Sequence, residues 1–282
     1  MSLESVGILA TAWRYPVKSM LGEELNASRI TVHGLLGDRT VALMDTETGK
    51  IVSAKNPTKW PDLFSFRAAY AGNPMEESLP SIVVTLPDGR RLNSDEPDID
   101  QQLSTALGRS VRLTQTSPQK ASLEQYWPEH AGTEQDVTAE VIAGDAPAGS
   151  FFDYSTIHLL TTATINQLHE SYPQGRFEVR RFRPNLVVDT GATRGFVENH
   201  WVGKVLCLGE QVRLQITDPC PRCVMTTLAQ GDLPKDPEIY RRGIMHNNVP
   251  VPFAGKSLPS VGVYARVIAA GTVCRGDTVR LG

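Results

Sequence analysis

The sequence predicts a mainly β fold with helical insertions (an α+β chain), rather than a parallel doubly wound sheet. Short segments rich in β-branched and aromatic residues recur through both halves of the chain, and turn residues separate them. Helical periodicity is confined to two places. Many short strands with few helices are typical of β-barrels that carry helical crossovers.

The first half of the chain supplies five predicted strands and one predicted helix. The strands are 6–15, 27–32, 40–45, 64–70 and 82–86. The turns at 45–49 and 86–89 each end in glycine, which accepts positive φ, so each is predicted to connect a hairpin. A helix is predicted over 97–107, because Ile99, Leu103 and Leu107 recur every four residues, and Gly108 ends it.

The second half begins after a polar stretch, 117–150, whose proline and glycine content predicts a linker or a long loop. A helix is then predicted over 165–171, with Thr162 or Thr164 as its cap. Further strands are predicted over 186–189, 204–208, 212–217, 261–268 and 278–281.

Length and charge limit the domain count and the classes of partner. A chain of 282 residues suggests about two domains, which we place at 1–115 and 116–282 as barrel-like units with a cleft between them. A formal net charge of −3 gives no overall field for nucleic acid or anionic lipid, so neither is an expected partner. The first ten residues lack a secretory pattern and no apolar run approaches the roughly 18 residues that span a bilayer, so we expect a cytoplasmic location.

The cysteines form the sharpest local motif. All four (Cys207, Cys220, Cys223 and Cys274) lie in the last third of a chain without a secretory signal, which argues against a disulfide scaffold. Residues 218–223 read Asp-Pro-Cys-Pro-Arg-Cys, so two prolines and a CxxC spacing predict a rigid turn that presents thiols beside a guanidinium. Three alternatives remain for this motif. It could be a zinc site, which needs two further ligands, or a dithiol redox pair, which is usually found in a βαβ unit. It could also be a pair of buried structural cysteines.

Two basic segments accompany the cysteine motif. Residues 180–185 read Arg-Arg-Phe-Arg-Pro-Asn directly before an apolar run, and a solvated charged surface is the usual explanation of such a cluster. A proline and an amide at the mouth of a buried strand favour a fixed anion site instead. Lys18 and Arg39 also lie near turns, where they can pair with neighbouring carboxylates or converge on a phosphate.

Together these segments resemble the MOSC family, named for the C-terminal domain of molybdenum cofactor sulfurase, with its companion N-terminal β-barrel domain. The resemblance covers nearly the whole chain. It rests on residues 15–19 (Tyr-Pro-Val-Lys-Ser), 37–39 (Gly-Asp-Arg), 181–185, 220–223, and the closing segments 262–267, 271–273 and 276–279. Each motif is modest alone, but their order along one chain is specific.

The resemblance implies a molybdenum–molybdopterin cofactor whose metal is bound by Cys223, the catalytic position. The cofactor-binding positions that it implies are Lys18, Ser19, Arg39, Arg181, Arg183, Asn185 and Arg222. A soft thiolate suits a heavy, polarisable metal, and Arg222 with the metal is expected to favour the thiolate of Cys223. Cys220 is expected to be structural or supporting. Pyridoxal phosphate binding is a further expectation at the level of the family.

The implied activity is a molybdenum-dependent oxidoreductase that reduces N-hydroxylated or related N-oxygenated small molecules. Only residues 224–282 follow Cys223, so no fused electron-transfer module is expected, and electrons would come from a separate ferredoxin, flavodoxin or cytochrome. The loop 245–260 is expected to shape substrate access. There are two alternatives. The protein could carry cofactor or sulfur without turning over a substrate, or it could be a β-barrel interaction module without a cofactor.

Overall fold

The computed structural model describes residues 3–118, 121–127, 136–144, 146–147 and 150–282, and within these ranges the chain is mainly β, as predicted. The strands are β1 (Glu4–Arg14), β2 (Glu23–Leu25), β3 (Ala27–Thr31), β4 (Gly34–Leu35), β5 (Ala42–Asp45), β6 (Arg67–Tyr70), β7 (Ile82–Thr85), β8 (Arg91–Asn93), β9 (Val111–Thr114), β10 (Ser122–Trp127), β11 (Asp136–Val141), β12 (Ile157–Thr161), β13 (Leu186–Asp189), β14 (Val205–Leu208), β15 (Val212–Pro221), β16 (Asn248–Val251), β17 (Lys256–Ala269), β18 (Gly271–Cys274) and β19 (Thr278–Leu281). The α-helices are α1 (Ile99–Leu107) and α2 (Thr162–Ser171). Short 3-10 helices cover Leu63–Ser65, Val179–Arg181, Val197–Trp201, Val224–Thr227, Ile244–His246 and Pro252–Ala254, and a π-helical turn covers Ile239–Gly243.

Seven strands close into a barrel. Their order is β12-β13-β1-β19-β14-β15-β17, and β17 pairs back onto β12 to complete the ring. Only β12 and β13 pair in parallel, and α2 makes the crossover that a parallel pair requires. Leucine, isoleucine and valine side chains from all seven strands fill the interior, because alternate residues of each strand point inward.

The barrel takes its third strand from the start of the chain. β1 pairs antiparallel with both β13 and β19, so the first residues of the sequence are built into the sheet of the C-terminal half. The two domain ranges proposed from the sequence stay a prediction, but any division at residue 115 separates β1 from its partners.

The N-terminal half packs small sheets around a second core. β6, β7 and β8 form one antiparallel sheet, and β5 pairs with β9. The aromatic residues Trp60, Phe64 and Phe66 lie in the core that these sheets enclose. Val224 and Met225, which directly follow the cysteine motif, pack against this core, so the motif lies between the two halves.

Local patterns placed most elements correctly, with two corrections. The hairpin β7–β8 and the stop of α1 at Gly108, which has φ 65°, follow the prediction. The cap of α2 is Thr161 rather than Thr162 or Thr164, because the Thr161 hydroxyl accepts from the N–H of Thr164. The stretch 117–150 is not simply a loop, since β10 and β11 pair there as antiparallel strands; 119–120, 128–135, 145 and 148–149 lie outside the described residues.

No helix in the described part of the chain combines the length and apolar character needed to cross a bilayer.

Candidate functional site

A cleft of about 1290 Å³ opens beside the end of β15 and is lined by residues of both halves of the chain. Among the described residues, its lining is strongly cationic. The cations are Lys18, Arg39, Lys55, Arg183, Arg222, Lys235 and Arg241, and the carboxylates are Glu140 and Asp153. Such an excess of positive charge around a concave surface favours an anionic ligand.

The cysteine turn places both thiols at this cleft. β15 ends at Pro221, and the 3-10 helix Val224–Thr227 begins directly after Cys223. Thr226 donates its N–H and its hydroxyl to the carbonyl of Cys223, at 3.3 and 3.0 Å. Apolar residues of the 3-10 helix pack against the N-terminal core. The turn therefore joins the barrel to the other half of the molecule.

Arg222 is directed at Cys220. Its Nη1 donates to Cys220 Sγ at 3.0 Å, and its Nη2 donates to the carbonyl of Phe182 at 2.7 Å. The backbone N–H of Arg222 donates to the carbonyl of Pro259 at 2.9 Å. These three bonds fix the guanidinium over one sulfur of the CxxC pair.

The two cleft thiols differ in ionisation. Burial alone raises the pKa of Cys220, but His158 and Arg222 more than offset it and hold that pKa well below its ordinary value. Burial raises the pKa of Cys223, and Lys55 and Arg222 offset this only in part. Arg222 therefore favours the thiolate of Cys223, as expected, but in the protein without a metal burial outweighs its effect. A metal that binds Cys223 has to displace its proton.

His158 reaches this site because β17 passes close over it. Its Nε2 lies 3.0 Å from the carbonyl oxygen of Val261. The next residue, Gly262, has φ 77°, and a Cβ there would stand 2.3 Å from the same Nε2. Only glycine permits this backbone path, so Gly262 sets the position of the ring beside Cys220.

Three predicted site residues share an uncommon backbone conformation. Ser19, Arg39 and Arg183 have φ of 63°, 49° and 53°, and Ala143 is the other non-glycine residue of the described ranges with positive φ. Such residues are costly and concentrate at binding sites, where the surrounding structure maintains them. All three line the cleft.

Arg183 is a buried cation without a carboxylate partner among the described residues. Its guanidinium lies 4.2 Å from the ring centroid of Tyr15 and 5.4 Å from that of Phe64, and its Nη1 donates to the carbonyl of Met20 at 2.5 Å. Burial, together with the charge of Arg39, lowers the pKa of Arg183 to about 10. An anion in the cleft would compensate this charge.

Lys18 and Lys55 share one carboxylate. Lys18 Nζ pairs with Asp153 and donates to the carbonyl of Phe151 at 2.7 Å, and Lys55 lies 3.5 Å from the second oxygen of Asp153. Burial lowers the pKa of Lys18 to about 8 despite the Asp153 charge. Lys55 also pairs with Glu140 at 3.4 Å. Asp153 therefore stands where a bound anion would meet both lysines.

Asn185 and Arg39 are arranged around Asp38. Asn185 donates from Nδ2 to Asp38 Oδ2 at 2.9 Å, and Arg39 Nη1 pairs with the same oxygen. The Asn185 side-chain oxygen accepts from the N–H of His158 at 3.1 Å. The Asn185 amide thus holds both Arg39 and β12 in place. Separately, the hydroxyl oxygen of Ser19 accepts a hydrogen bond from the N–H of Ala54 at 3.2 Å.

The described residues contain no cluster of three His, Cys, Asp or Glu side chains that could hold a metal ion. A structural zinc site around Cys220 and Cys223 would need such a set. The zinc alternative therefore lacks the further ligands that it needs in the described part of the chain. A metal bound at Cys223 would take most of its ligands from a cofactor.

Two domain models match this chain in sequence. The MOSC domain matches residues 146–280, and the MOSC N-terminal beta barrel domain matches residues 6–136. The chain belongs to the MOSC family. The family predicted from the motifs is thus confirmed.

Named relatives of this MOSC chain align over almost its full length. It is 24% identical to mitochondrial amidoxime-reducing component 1 of Mus musculus, covering 99% of this chain and 83% of that protein. It is also 24% identical to mitochondrial amidoxime reducing component 2 of Bos taurus, covering 98% of this chain and 84% of that protein.

Solved structures resemble the MOSC chain more loosely. The YUAD protein from Bacillus subtilis aligns with a TM-score of 0.44 at 12% identity, covering 100% of this chain and 96% of that one. YiiM from Geobacillus stearothermophilus aligns with a TM-score of 0.31 at 15% identity, covering 59% of this chain and 75% of that one.

Arg181, one of the expected cofactor-binding residues, does not line the MOSC cleft, and its role stays a prediction. It is only 1% exposed, and it donates to four backbone carbonyls, those of Arg176, Thr226, Leu228 and Pro234. The 3-10 turn at Val179–Arg181 points this side chain away from the cleft. The other seven predicted positions (Lys18, Ser19, Arg39, Arg183, Asn185, Arg222 and Cys223) all line it.

The structure adds residues that the motifs did not indicate. Lys55 and Lys18 both pair with Asp153, and His158 and Tyr264 lie near the Cys220 sulfur. Lys55 and Asp153 belong to no motif with distinctive spacing, so no local pattern indicates them. His158 had a weak signal, as a polar residue inside an apolar strand. Pyridoxal phosphate binding stays a prediction.

Proposed function

We propose that this MOSC protein is a molybdenum-cofactor-dependent oxidoreductase that removes oxygen from N-hydroxylated or related N-oxygenated small molecules. The observation that carries the proposal is the Cys223 thiol in a cleft where a buried guanidinium, Arg183, has no carboxylate partner among the described residues. The two named relatives, both amidoxime-reducing components, suggest the reaction.

The donor set fits a molybdopterin. Its terminal phosphate needs several fixed donors, because a poorly compensated buried charge is costly. Arg183 and Lys18 both have pKa values lowered by burial, so each gains from an approaching anion. The Nε of Arg222 is also buried without a hydrogen-bond partner. Such an unmet donor at the cleft suits an additional acceptor.

Each residue then has a distinct task. Cys223 would hold the metal, and Lys18, Arg39 and Arg183 would hold the phosphate. Bound molybdenum would supply the two-electron chemistry that cleaves the nitrogen–oxygen bond. Reduction of an N-hydroxyl group consumes two electrons and two protons and releases water, so a separate ferredoxin, flavodoxin or cytochrome would provide the electrons. Asn185 would orient Arg39 through Asp38.

The test is cofactor content followed by turnover. The protein is produced in a host that makes molybdopterin, and bound molybdenum and pterin are measured before an amidoxime is offered with a chemical reductant. Bound cofactor with amidoxime reduction supports the proposal. A protein that retains neither molybdenum nor pterin refutes it, and favours the alternative of an interaction module.

A second candidate function is delivery of cofactor or sulfur without substrate turnover. The observation in its favour is Cys220, three residues from Cys223, whose pKa is held below that of an ordinary thiol by His158 and Arg222. Sulfur transfer uses a nucleophilic thiolate that can carry a persulfide. Mass spectrometry of the native protein separates the two functions, because a carrier shows labile sulfur or substoichiometric cofactor.

A further inference from the structure

Three aromatic side chains that the proposed mechanism does not use line the cleft together. Tyr154 and Phe253 stack with ring centroids 3.9 Å apart and planes 22° apart. Tyr264 lies 5.3 Å from Tyr154 and 6.3 Å from Phe253. Both distances from Tyr264 lie in the range of roughly 4.5–7 Å that favours aromatic pairs, and Tyr154 and Phe253 stack more closely than that, so the three rings form one aromatic wall.

Phe253 is held at the tip of a hairpin although much of it faces solvent. β16 and β17 pair from Asn248–Pro259 to Val251–Lys256, and a 3-10 turn that begins at Pro252 carries Phe253 between them. Gly255, with φ 63°, closes the turn. The ring is nevertheless 43% exposed. A large apolar side chain fixed by a turn and left exposed at a cleft is typical of a ligand contact.

The aromatic wall is continuous with the thiol end of the cleft. Tyr264 on β17 pairs in register with Asp218 of β15, two residues before Cys220, and both Tyr264 and Cys220 line the cleft. From Cys220 the wall leads through Tyr264 to Tyr154 and Phe253. A molecule that reacts near the cysteine turn can therefore extend one end along these rings.

We propose that Tyr154 and Phe253 form a stacking subsite for a planar aromatic ring of the substrate, so that aromatic N-hydroxylated compounds bind better than aliphatic ones. This inference rests on the proposed function and specifies its substrate class. The described cleft lining contains seven lysines and arginines but only two carboxylates. This excess of positive charge disfavours a cationic substrate ring, so the substrate ring is neutral or anionic. Stacking on a preformed pair of rings costs little ordering of the protein, because the hairpin already holds Phe253.

The variant that tests the subsite is Phe253→Ala in the cofactor-loaded protein, with benzamidoxime and acetamidoxime as the aromatic and aliphatic probes. We expect KM for benzamidoxime to rise about tenfold, as loss of a ring contact predicts, while KM for acetamidoxime and both kcat values stay within about twofold. Phe253→Trp retains a flat ring and should restore the low KM. Ile268→Ala, an exposed apolar residue of β17 outside the cleft lining, is the matched control and should change neither KM.

Equal rises in KM for both probes would contradict the subsite. A fall in the pterin content of Phe253→Ala would also contradict it, because the rings would then contact the cofactor and not the substrate. Binding of benzamide, measured by calorimetry, separates this inference from the proposed function. If neither oxime is reduced but benzamide binding is lost in Phe253→Ala, the proposed function fails and the ring subsite stands. If both oximes are reduced and the variant binds benzamide like the native protein, only the subsite fails.

Discussion

Arg222 and Cys220 form the tightest charged contact of the cysteine turn, with Nη1 donating to Sγ at 3.0 Å. The guanidinium supports the ionised form of one thiol, while burial keeps the proton on the other, Cys223. The CxxC pair is therefore asymmetric. Cys220 is buried and its pKa is lowered, whereas Cys223 is partly exposed and available to a metal.

Replacement of Cys220 by serine should remove the low-pH thiolate signal. In the native protein the ultraviolet absorbance of a thiolate should persist below the ordinary pKa of a thiol, because His158 and Arg222 stabilise the anion. Cys223→Ser should keep this signal. A titration in which Cys223→Ser loses the signal and Cys220→Ser retains it would reverse the assignment.

The same shift predicts a pH dependence of stability. Since the pKa of Cys220 is lower in the folded protein than in the unfolded chain, its contribution is complete above the ordinary thiol pKa and declines as the pH falls towards the folded value. The difference in unfolding free energy between the native protein and Cys220→Ser should therefore shrink as the pH is lowered. Chemical denaturation at a series of pH values measures it, and a difference independent of pH would contradict the shift.

Arg181 and Arg183, only two residues apart, should respond to substitution in opposite ways. Arg181→Met leaves four backbone carbonyls without their donor and should lower the unfolding free energy by about 3 kcal/mol or more. Arg183→Met removes a buried cation that has no carboxylate partner among the described residues, so it should fold and lose pterin. Denaturant unfolding and pterin analysis on both variants check this pair. If Arg181→Met and Arg183→Met lost the same amount of pterin and the same unfolding free energy, the two arginines would not have different roles.

Asp153 should compete with anions for Lys18 and Lys55. In Asp153→Asn the two ammonium groups lose the carboxylate that they share, so inorganic phosphate should bind more tightly, by roughly tenfold for a loss of about 1.4 kcal/mol of competing interaction. Calorimetric titration with phosphate measures the change. The matched variant Asp88→Asn, at an exposed turn, should have the affinity of the native protein. Weaker phosphate binding in Asp153→Asn would show that Asp153 orients the lysines instead of competing.

The sequence was most informative where a pattern is local. Apolar spacing with Gly108 located α1, and the turn at 86–89 located the hairpin β7–β8, because neighbouring residues decide both. The order of the motifs along the chain also sufficed to identify the family, and seven of the site residues that the motifs implied line the cleft.

The features of the fold and of the site that the sequence did not predict depend on contacts between distant segments. The neighbours Arg181 and Arg183 look alike in sequence, but a 3-10 turn followed by positive φ at Arg183 sends them to different places. His158 on β12 and Tyr264 on β17 come together near Cys220 because these two strands pair, with His158 opposite Tyr264, and no local pattern indicates that pairing. β1 joins a barrel whose other strands lie at least 140 residues away, which no local pattern indicates.

Molybdenum content after a single substitution tests the central claim most directly. Native protein, Cys220→Ser and Cys223→Ser are produced together in a host that makes the cofactor, and molybdenum and pterin are measured per chain. The native protein and Cys220→Ser should retain molybdenum, whereas Cys223→Ser should lose metal or amidoxime reduction while the protein stays folded. If Cys223→Ser retains native molybdenum and native turnover, Cys223 is not the metal ligand and the assignment of the site is wrong.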